Sequence, residues 1–238
     1  MQPDFAEISD SEADGLVSAI DREGYGIVPA YLRDDEIAEL RSFVNQAVQA
    51  AGGVYVSFTG HEAVAGTALE RMANSPAFKR LCIKVYERTS GQPAPDQPYY
   101  QILRCLTGPS GQEHSLRFHY DSYVLTVLLP IHVPRGKNSG DLVVLPNVRK
   151  VRQLYARNLL DKILLDNPFS QFLLRRMTKA SSPRLVRIKM NPGDLYLFWG
   201  YRSVHTNEPC DPDKIRATAL FHYIDPHSDS ALKKLLRK

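Results

Sequence analysis

The sequence predicts a mainly β fold, a sandwich or barrel with helices packed against its outside. Two observations favour it: helical spacing dominates the first third of the chain, and short apolar segments typical of strands follow from residue 99 to residue 225. A parallel α/β sheet would need a helix between most of its strands, and only one helical insertion is visible. We therefore expect a single domain over residues 1–238, with a helical part over 1–90 and a β core over 99–225 that carries an insertion at 148–179.

The N-terminal part predicts helices around one short strand. Apolar spacing predicts a helix near residues 10–22, and the segment 24–28 predicts a strand. A second helix is expected over 35–50, and the glycine pair that follows it is typical of a helix end. Pro76 follows a serine, which is a common start for a third helix.

The β core is predicted to hold seven short strands. They are expected at 99–106, 117–120, 123–131, 142–145, 185–190, 195–199 and 216–224. Two of them follow the same tight-turn sequence, Gly140-Asp141-Leu142 and Gly193-Asp194-Leu195. This pseudo-repetition is consistent with a double-layered roll.

Composition excludes several classes of protein. Hydrophobic residues make up 43% of the 238-residue chain and charged residues 24%, which excludes wholesale disorder, collagen and coiled coils. The longest apolar stretch, at 124–133, is too short to span a bilayer, and residues 1–10 have no signal-peptide pattern. Three scattered cysteines argue against a disulfide framework, so a reducing, cytoplasmic location is expected.

Charge is unevenly distributed along the chain. Residues 1–40 carry eleven acidic residues against two arginines, a net of −9, whereas residues 149–189 carry eleven basic residues against two aspartates, a net of +9. The basic segment has three interpretations: a solvated face, a partner of the acidic end, or a contact for an anionic substrate or partner. Nucleic acid is disfavoured because few aromatic residues lie between the basic ones.

One histidine and one carboxylate have the setting of metal ligands. In His119-Tyr120-Asp121 the two side chains share one face at the end of a predicted strand, and His205 lies far along the chain after another strand. Two imidazoles and one carboxylate on one face of an octahedral ion suit iron(II) that also binds a co-substrate and dioxygen. Zinc would fit the same ligands but has no redox chemistry. A second His-x-Asp triplet, ending at Asp229, lies in a polar tail and is interpreted as chance.

A basic residue follows at the start of the last apolar strand. Arg216 and Thr218 share one face there, and a guanidinium beside a hydroxyl is a good receptor for a carboxylate. Beside an iron site, this pair would suit a keto-dicarboxylate that chelates the metal at one end and is held at the other.

Over about residues 15–225 the chain resembles the iron(II)/2-oxoglutarate-dependent oxygenases of the phytanoyl-CoA dioxygenase type. The resemblance rests on the order and spacing of Gly24-Tyr25-Gly26-Ile27-Val28-Pro29, Asp35-Glu36-Ile37-Ala38-Glu39-Leu40-Arg41, Phe118-His119-Tyr120-Asp121, Gly193-Asp194-Leu195-Tyr196-Leu197-Phe198, His205 and Arg216. No single piece is specific, but their combination is.

The resemblance implies a double-stranded β-helix, or jelly roll, with His119, Asp121 and His205 as iron ligands. It implies that Arg216 binds the far carboxylate of 2-oxoglutarate. Further co-substrate contacts are expected at Gln101, Thr126 and Thr218. The implied chemistry converts 2-oxoglutarate and dioxygen to succinate and carbon dioxide while a substrate is oxidised. An aspartate at position 121 favours oxygen transfer over halogenation, but desaturation or ring formation would use the same ligands.

Alternatives remain open for the activity and for the insertion. The chain could be a jelly-roll metal-binding or sensor protein without turnover, or an oligomeric scaffold that uses only its basic face. The expected substrate is a small molecule, free or tethered to a carrier protein, and the basic segment favours an anionic one. For the amphipathic stretch at 151–165 we expect packing on the barrel, with a lid, a dimer contact and carrier docking as alternatives.

Overall fold

The computed structural model describes residues 5–136 and 138–236, and its architecture confirms the predicted fold class. The α-helices are α1 (Asp10–Glu23), α2 (Asp34–Ala50), α3 (Ala68–Asn74), α4 (Pro76–Ser90), α5 (Gly108–Glu113), α6 (Tyr155–Asp166), α7 (Pro168–Lys179) and α8 (Ala231–Leu236). The strands are β1 (Gly26–Val28), β2 (Val56–Thr59), β3 (Tyr100–Leu106), β4 (Leu125–His132), β5 (Leu142–Leu145), β6 (Val186–Ile188), β7 (Leu195–Phe198), β8 (Val204–Asn207) and β9 (Arg216–Tyr223).

The larger sheet has the strand order β1-β7-β4-β9-β3-β2, and all its pairs are antiparallel. Side chains alternate between its faces. On one face Leu103, Val127 and Phe221 are fully buried in a core that also contains Leu40 of α2 and Leu81 of α4. The N-terminal helices therefore cover this face of the sheet.

The smaller sheet has the order β6-β5-β8 and lies across the other face of the larger one. Leu128 and Phe198 of the large sheet pack against Leu142 and Val144 of the small sheet in a second apolar cluster. This arrangement of two antiparallel layers is the predicted roll. The polar cavity described below opens between the same two layers.

The insertion forms two helices that are fixed to the segment around His119. The Arg149 guanidinium lies between the rings of Tyr120 and Tyr201, 3.7 and 4.3 Å from their centroids, and donates hydrogen bonds to Asn158 and Asp161 of α6. In α7 the Gln171 side-chain amide bonds both backbone groups of Phe118. Polar contacts therefore hold the insertion beside the β core, but much of α6 and α7 faces solvent, as do Leu154, Ile163 and Leu164 of the stretch expected to pack on the barrel. Their exposed apolar residues are Leu160, Ile163, Leu164, Phe169, Phe172 and Leu173.

Three details of the strand prediction are wrong. Residues 117–120 do not form a strand and pair with β8 only through a bridge between His119 and His205. Strand β8, which contains His205, was not predicted, because the short sequence Val-His-Thr-Asn gives no apolar alternation from which a strand could be predicted. Strand β2, only four residues long, was also not predicted.

Among the described residues, acidic side chains of the N-terminal end form ion pairs with α4, and none forms an ion pair with the insertion. Asp10 lies 2.9 Å from the Lys84 ammonium, and Asp14 lies 2.5 Å from the Arg88 guanidinium. The positive charge of the insertion is therefore not neutralised by these acids.

Two general features follow from burial and helix length. Cys82, Cys105 and Cys210 are buried and unpaired, and burial raises the pKa of the Cys82 thiol to about 12. Within the described part of the chain, no helix is both long and apolar enough to cross a bilayer.

Candidate metal and co-substrate site

The three residues expected to bind iron lie together. Ligand atoms of His119, Asp121 and His205 all lie within 4.8 Å of one another. Two backbone hydrogen bonds, 3.1 and 3.0 Å long, join His119 to His205 across the small sheet. The Asp121 amide donates to the carbonyl of Gly200, just beyond β7, at 3.0 Å. Backbone pairing therefore brings together side chains that are more than 80 residues apart.

Backbone carbonyls fix the orientation of both imidazoles. The Nδ1 of His119 lies 3.0 Å from the carbonyl of Arg117, and the Nδ1 of His205 lies 3.2 Å from the carbonyl of Ser203. Because a carbonyl can only accept, each Nδ1 carries a proton, and in the neutral imidazole each Nε2 then keeps a lone pair. The two Nε2 atoms face the Asp121 carboxylate at 3.8 and 3.4 Å. This is the tautomer that metal binding through Nε2 requires.

Two polar side chains, those of Thr126 and His222, contact the Asp121 carboxylate. The Thr126 hydroxyl donates to its Oδ2 at 2.5 Å, and the His222 Nδ1 lies 3.6 Å from the same oxygen. A Cβ on Gly200 would come within 2.2 Å of both Asp121 Oδ2 and Thr126 Oγ1. Only glycine fits at position 200 while the carboxylate keeps this place.

In this cluster the negatively charged Asp121 carboxylate is surrounded by the imidazoles of His119, His205 and His222. Although about half of its side chain is exposed, desolvation by the surrounding protein and the neighbouring His205 lower the pKa of His119 to about 4. Burial of Asp121 acts to raise its pKa, but the combined effect of His205 and His222 is larger. The pKa of the Asp121 carboxyl therefore lies well below its usual value. An ionised carboxylate beside a neutral His119 is the state in which these groups bind a cation.

Arg216 lies in a cavity between the two sheets that also reaches His119 and His205. Its Nε donates to the carbonyl of Gly140 at 2.7 Å. Burial, together with Arg104, lowers its pKa to about 10. A Cβ on Gly140 would come within 2.4 Å of the Arg216 side chain, so the Gly-Asp turn at this position also makes room for the guanidinium.

The cavity is positively charged and holds unpartnered polar atoms. Its empty volume is about 440 Å³ including its open mouth, and both Arg104 and Thr218 line it. Arg104 lies directly opposite Thr218 in the register of β3 and β9. No carboxylate forms an ion pair with Arg104 or Arg216 among the described residues, and the Thr218 hydroxyl is buried without a hydrogen-bond partner. A bound anion would satisfy these groups.

The structure does not place Gln101 in this cavity. Gln101 lies on β3 three residues from Arg104, so the alternation of a strand turns the two side chains to opposite faces of the sheet. Gln101 instead lines a pocket on the helical side, with Tyr99 and His61. In the structure Gln101 therefore lies away from the cavity that Arg216 lines, and Arg104 occupies the face of β3 that turns toward it.

Two other residues have contacts that the sequence does not predict. Thr126 is expected to touch the co-substrate, and in the structure its hydroxyl bonds Asp121. The buried His222 lies 3.2 Å from the Thr126 hydroxyl and stacks on Tyr123. Its position on the same face as Arg216 and Thr218 was the available signal for this placement.

No protein-family model matches this chain, and no curated protein matches its sequence. Solved structures do resemble its fold. The epimerase SnoN, in complex with Fe3+, alpha ketoglutarate and nogalamycin RO, is 18% identical with a TM-score of 0.61, covering 91% of this chain and 85% of its own. A prolyl hydroxylase from Trichoplax adhaerens is 14% identical with a TM-score of 0.63, covering 93% of this chain and 94% of its own.

HygX from Streptomyces hygroscopicus, with nickel and 2-oxoglutarate bound, is 14% identical with a TM-score of 0.52. The alignment covers 88% of this chain and 85% of that one. At these identities the similarities establish the shared fold.

Proposed function

We propose that this protein is an iron(II)- and 2-oxoglutarate-dependent oxygenase that hydroxylates a small molecule. The observation that carries the proposal is the convergence of His119, Asp121 and His205 beside a cavity lined by the buried Arg216. The fold is that of the epimerase SnoN, solved with Fe3+ and alpha ketoglutarate, and of the Trichoplax prolyl hydroxylase, and both support the proposal.

The donor set fits iron(II). His119 and His205 would each supply an Nε2 lone pair and Asp121 a carboxylate oxygen, which is the two-histidine, one-carboxylate set of non-haem iron oxygenases. When bound, the iron would supply the activation of dioxygen that is coupled to decarboxylation of 2-oxoglutarate to succinate and carbon dioxide. Thr126 and His222 would orient the carboxylate.

The co-substrate would bind in the cavity between the sheets. Arg216 and Thr218 would hold the far carboxylate of 2-oxoglutarate, with Arg104 adding a second positive charge from β3. Gly140 fixes Arg216 by accepting its Nε–H, so two other guanidinium nitrogens remain for a ligand. Binding the dicarboxylate in this low-dielectric cavity would offset the burial cost of two guanidinium groups.

The remaining expectations belong to the same proposal. The order of motifs supports the phytanoyl-CoA dioxygenase type, and three buried, unpaired cysteines are consistent with a reducing, cytoplasmic location. A single domain is supported by the shared core of α2, α4 and the large sheet. The substrate is proposed to be a small molecule, free or carrier-bound.

The test is a succinate assay with Fe(II), ascorbate and 2-oxoglutarate. We expect slow succinate formation even without substrate, loss of it in His119→Ala, and weaker 2-oxoglutarate binding with retained metal in Arg216→Gln. The exposed Arg184 provides a matched control, and Arg184→Gln should leave both unchanged. Succinate formation that is undiminished in His119→Ala would contradict the proposal. Metal binding without succinate under any condition would favour the non-catalytic metal-binding protein.

A further inference from the structure

A groove distinct from the co-substrate cavity also reaches His119 of the candidate iron site. It runs between α6 and the segment at 118–120, and its empty volume is about 790 Å³ including its open mouth. His119 is the residue that lines both spaces, and its side chain is 48% exposed. A molecule in the groove would therefore lie against a metal ligand without entering the cavity that holds Arg216.

The walls of the groove are apolar. Phe118 lies at its base, and α6 contributes Leu159, Ile163 and Leu165. Ile163 is 59% exposed although it lies beside a deep surface groove, which leaves apolar area for a ligand to cover. The groove thus suits a ligand with an apolar body.

One cation in the groove has no acidic partner. Arg117 at the rim is paired with Asp166 at 3.3 Å, so its charge is compensated. Lys162 donates to the hydroxyl of Ser122 at 2.8 Å, but no carboxylate forms an ion pair with it among the described residues. Burial lowers the pKa of the Lys162 ammonium, which is the cost that an anionic ligand would relieve.

We propose that the substrate is an apolar molecule with one anionic group, and that Lys162 binds this group in the groove beside His119. Calling this molecule a substrate rests on the proposed function, whereas its binding beside Lys162 does not depend on that function. Lys162 lies on α6, which Arg149 holds against Tyr120, so the cation has a fixed place relative to the metal ligands. It would act as a specificity-determining residue that orients the substrate.

Binding is tested with three probes that share one apolar chain: decanoate, decanol and decylamine. Calorimetry on the wild-type protein should show decanoate binding about tenfold or more tightly than decanol, the size of a charge-assisted hydrogen bond. Lys162→Met should remove this preference, and Lys162→Glu should shift it toward decylamine. Equal affinities for decanoate and decanol in the wild type would overturn the proposal.

Two control variants separate this site from other positive charges. Arg157 is an exposed cation on the same helix, and Arg157→Met should keep the full preference for decanoate. A carboxylate could instead enter the cavity at Arg216, so the preference is also measured in Arg216→Gln, where it should persist. Loss of the preference in either control would contradict binding at Lys162. Melting temperatures of all variants report whether α6 stays folded.

The outcome is independent of the oxygenase assay. If Lys162→Met binds all probes as the wild type does but forms succinate normally, the substrate class is wrong and the proposed function stands. If the wild type forms no succinate and binds no metal while Lys162 still selects decanoate, the groove is a binding site and the proposed function is wrong.

Discussion

The two faces of the six-stranded sheet carry opposite kinds of side chain. On β9, Ala219 and Phe221 are fully buried against the N-terminal helices, whereas Arg216, Thr218 and His222 on the other face line the polar site. Adjacent residues of one strand therefore serve two purposes. The apolar face supplies stability, and the polar face holds buried groups that are left for ligands.

The difference lies in how the polar groups are satisfied. On the site face the Arg216 guanidinium has one backbone acceptor and the Thr218 hydroxyl has none, which is costly unless a ligand binds. On the packed face Phe221 lies in edge-to-face contact with Phe78 at 5.0 Å and needs no ligand. Substitutions on the two faces should consequently affect different measurements.

The largest expected effect is on stability from the packed face. Phe221→Ala should lower the free energy of unfolding by about 3–5 kcal/mol, because a fully buried ring is lost and its cavity cannot collapse completely. Leu220→Ala, next along the strand but only partly buried on the site face, should cost clearly less. Urea unfolding of both variants measures this. Equal losses would mean that the two faces do not differ as described.

Adding a methyl group at position 200 tests how closely Asp121 and Thr126 pack against the backbone on the site face. Gly200→Ala should weaken metal binding by about 10- to 100-fold, since the Asp121 carboxylate and the Thr126 hydroxyl must move away. Gly15→Ala is the control, because a Cβ at that helical position meets nothing within 4 Å. Metal titration of both variants gives the comparison. Unchanged affinity in Gly200→Ala would show that the carboxylate does not bind metal in this position.

Loss of the hydrogen bond from Thr126 to Asp121 should weaken metal binding less than Gly200→Ala does, but by a measurable amount. Thr126→Val removes one hydrogen bond without changing the shape of the side chain much, and should weaken metal binding by about tenfold. Binding of 2-oxoglutarate to the metal-loaded variant should change less than metal affinity does. A variant that loses only 2-oxoglutarate binding would instead restore the role that the sequence suggested for Thr126.

The smallest effect is expected at Gln101. Both polar atoms of its side-chain amide are buried without hydrogen-bond partners, so Gln101→Leu should leave stability unchanged or raise it by about 1 kcal/mol. Binding of 2-oxoglutarate should stay the same because the side chain lies on the helical face. A large loss of 2-oxoglutarate affinity would contradict this placement.

The sequence predicted the fold class, and it selected most residues of the candidate site, because both depend on spacing patterns that can be read from the chain without knowing which residues pack together. The His-x-Asp spacing, the distant His205 and the Arg-x-Thr pair were sufficient to select residues that the structure brings together. The placement of Gln101 on the helical face was not predicted because each face of β3 carries one polar residue, Gln101 on one and Arg104 on the other, so the sequence does not show which face turns toward the site.

Other parts of the site could not be predicted from one sequence. The contacts of Arg104, Gly200 and Lys162 involve residues distant along the chain. Arg104 lies opposite Thr218 in a strand pair, Gly200 lies against Asp121, and Lys162 of α6 bonds Ser122. Strand β8 was missed since its short polar sequence forms a strand only by pairing with β5 and with His119.

The most direct test of the central claim is anaerobic equilibrium dialysis against Fe(II). The wild-type chain should bind one ion, and His119→Ala, Asp121→Ala and His205→Ala should each bind it about 100-fold or more weakly. Asp229, the fully exposed carboxylate of the other His-x-Asp triplet, provides the matched control, and Asp229→Ala should bind as the wild type does. Wild-type affinity in any of the three ligand variants would contradict the account.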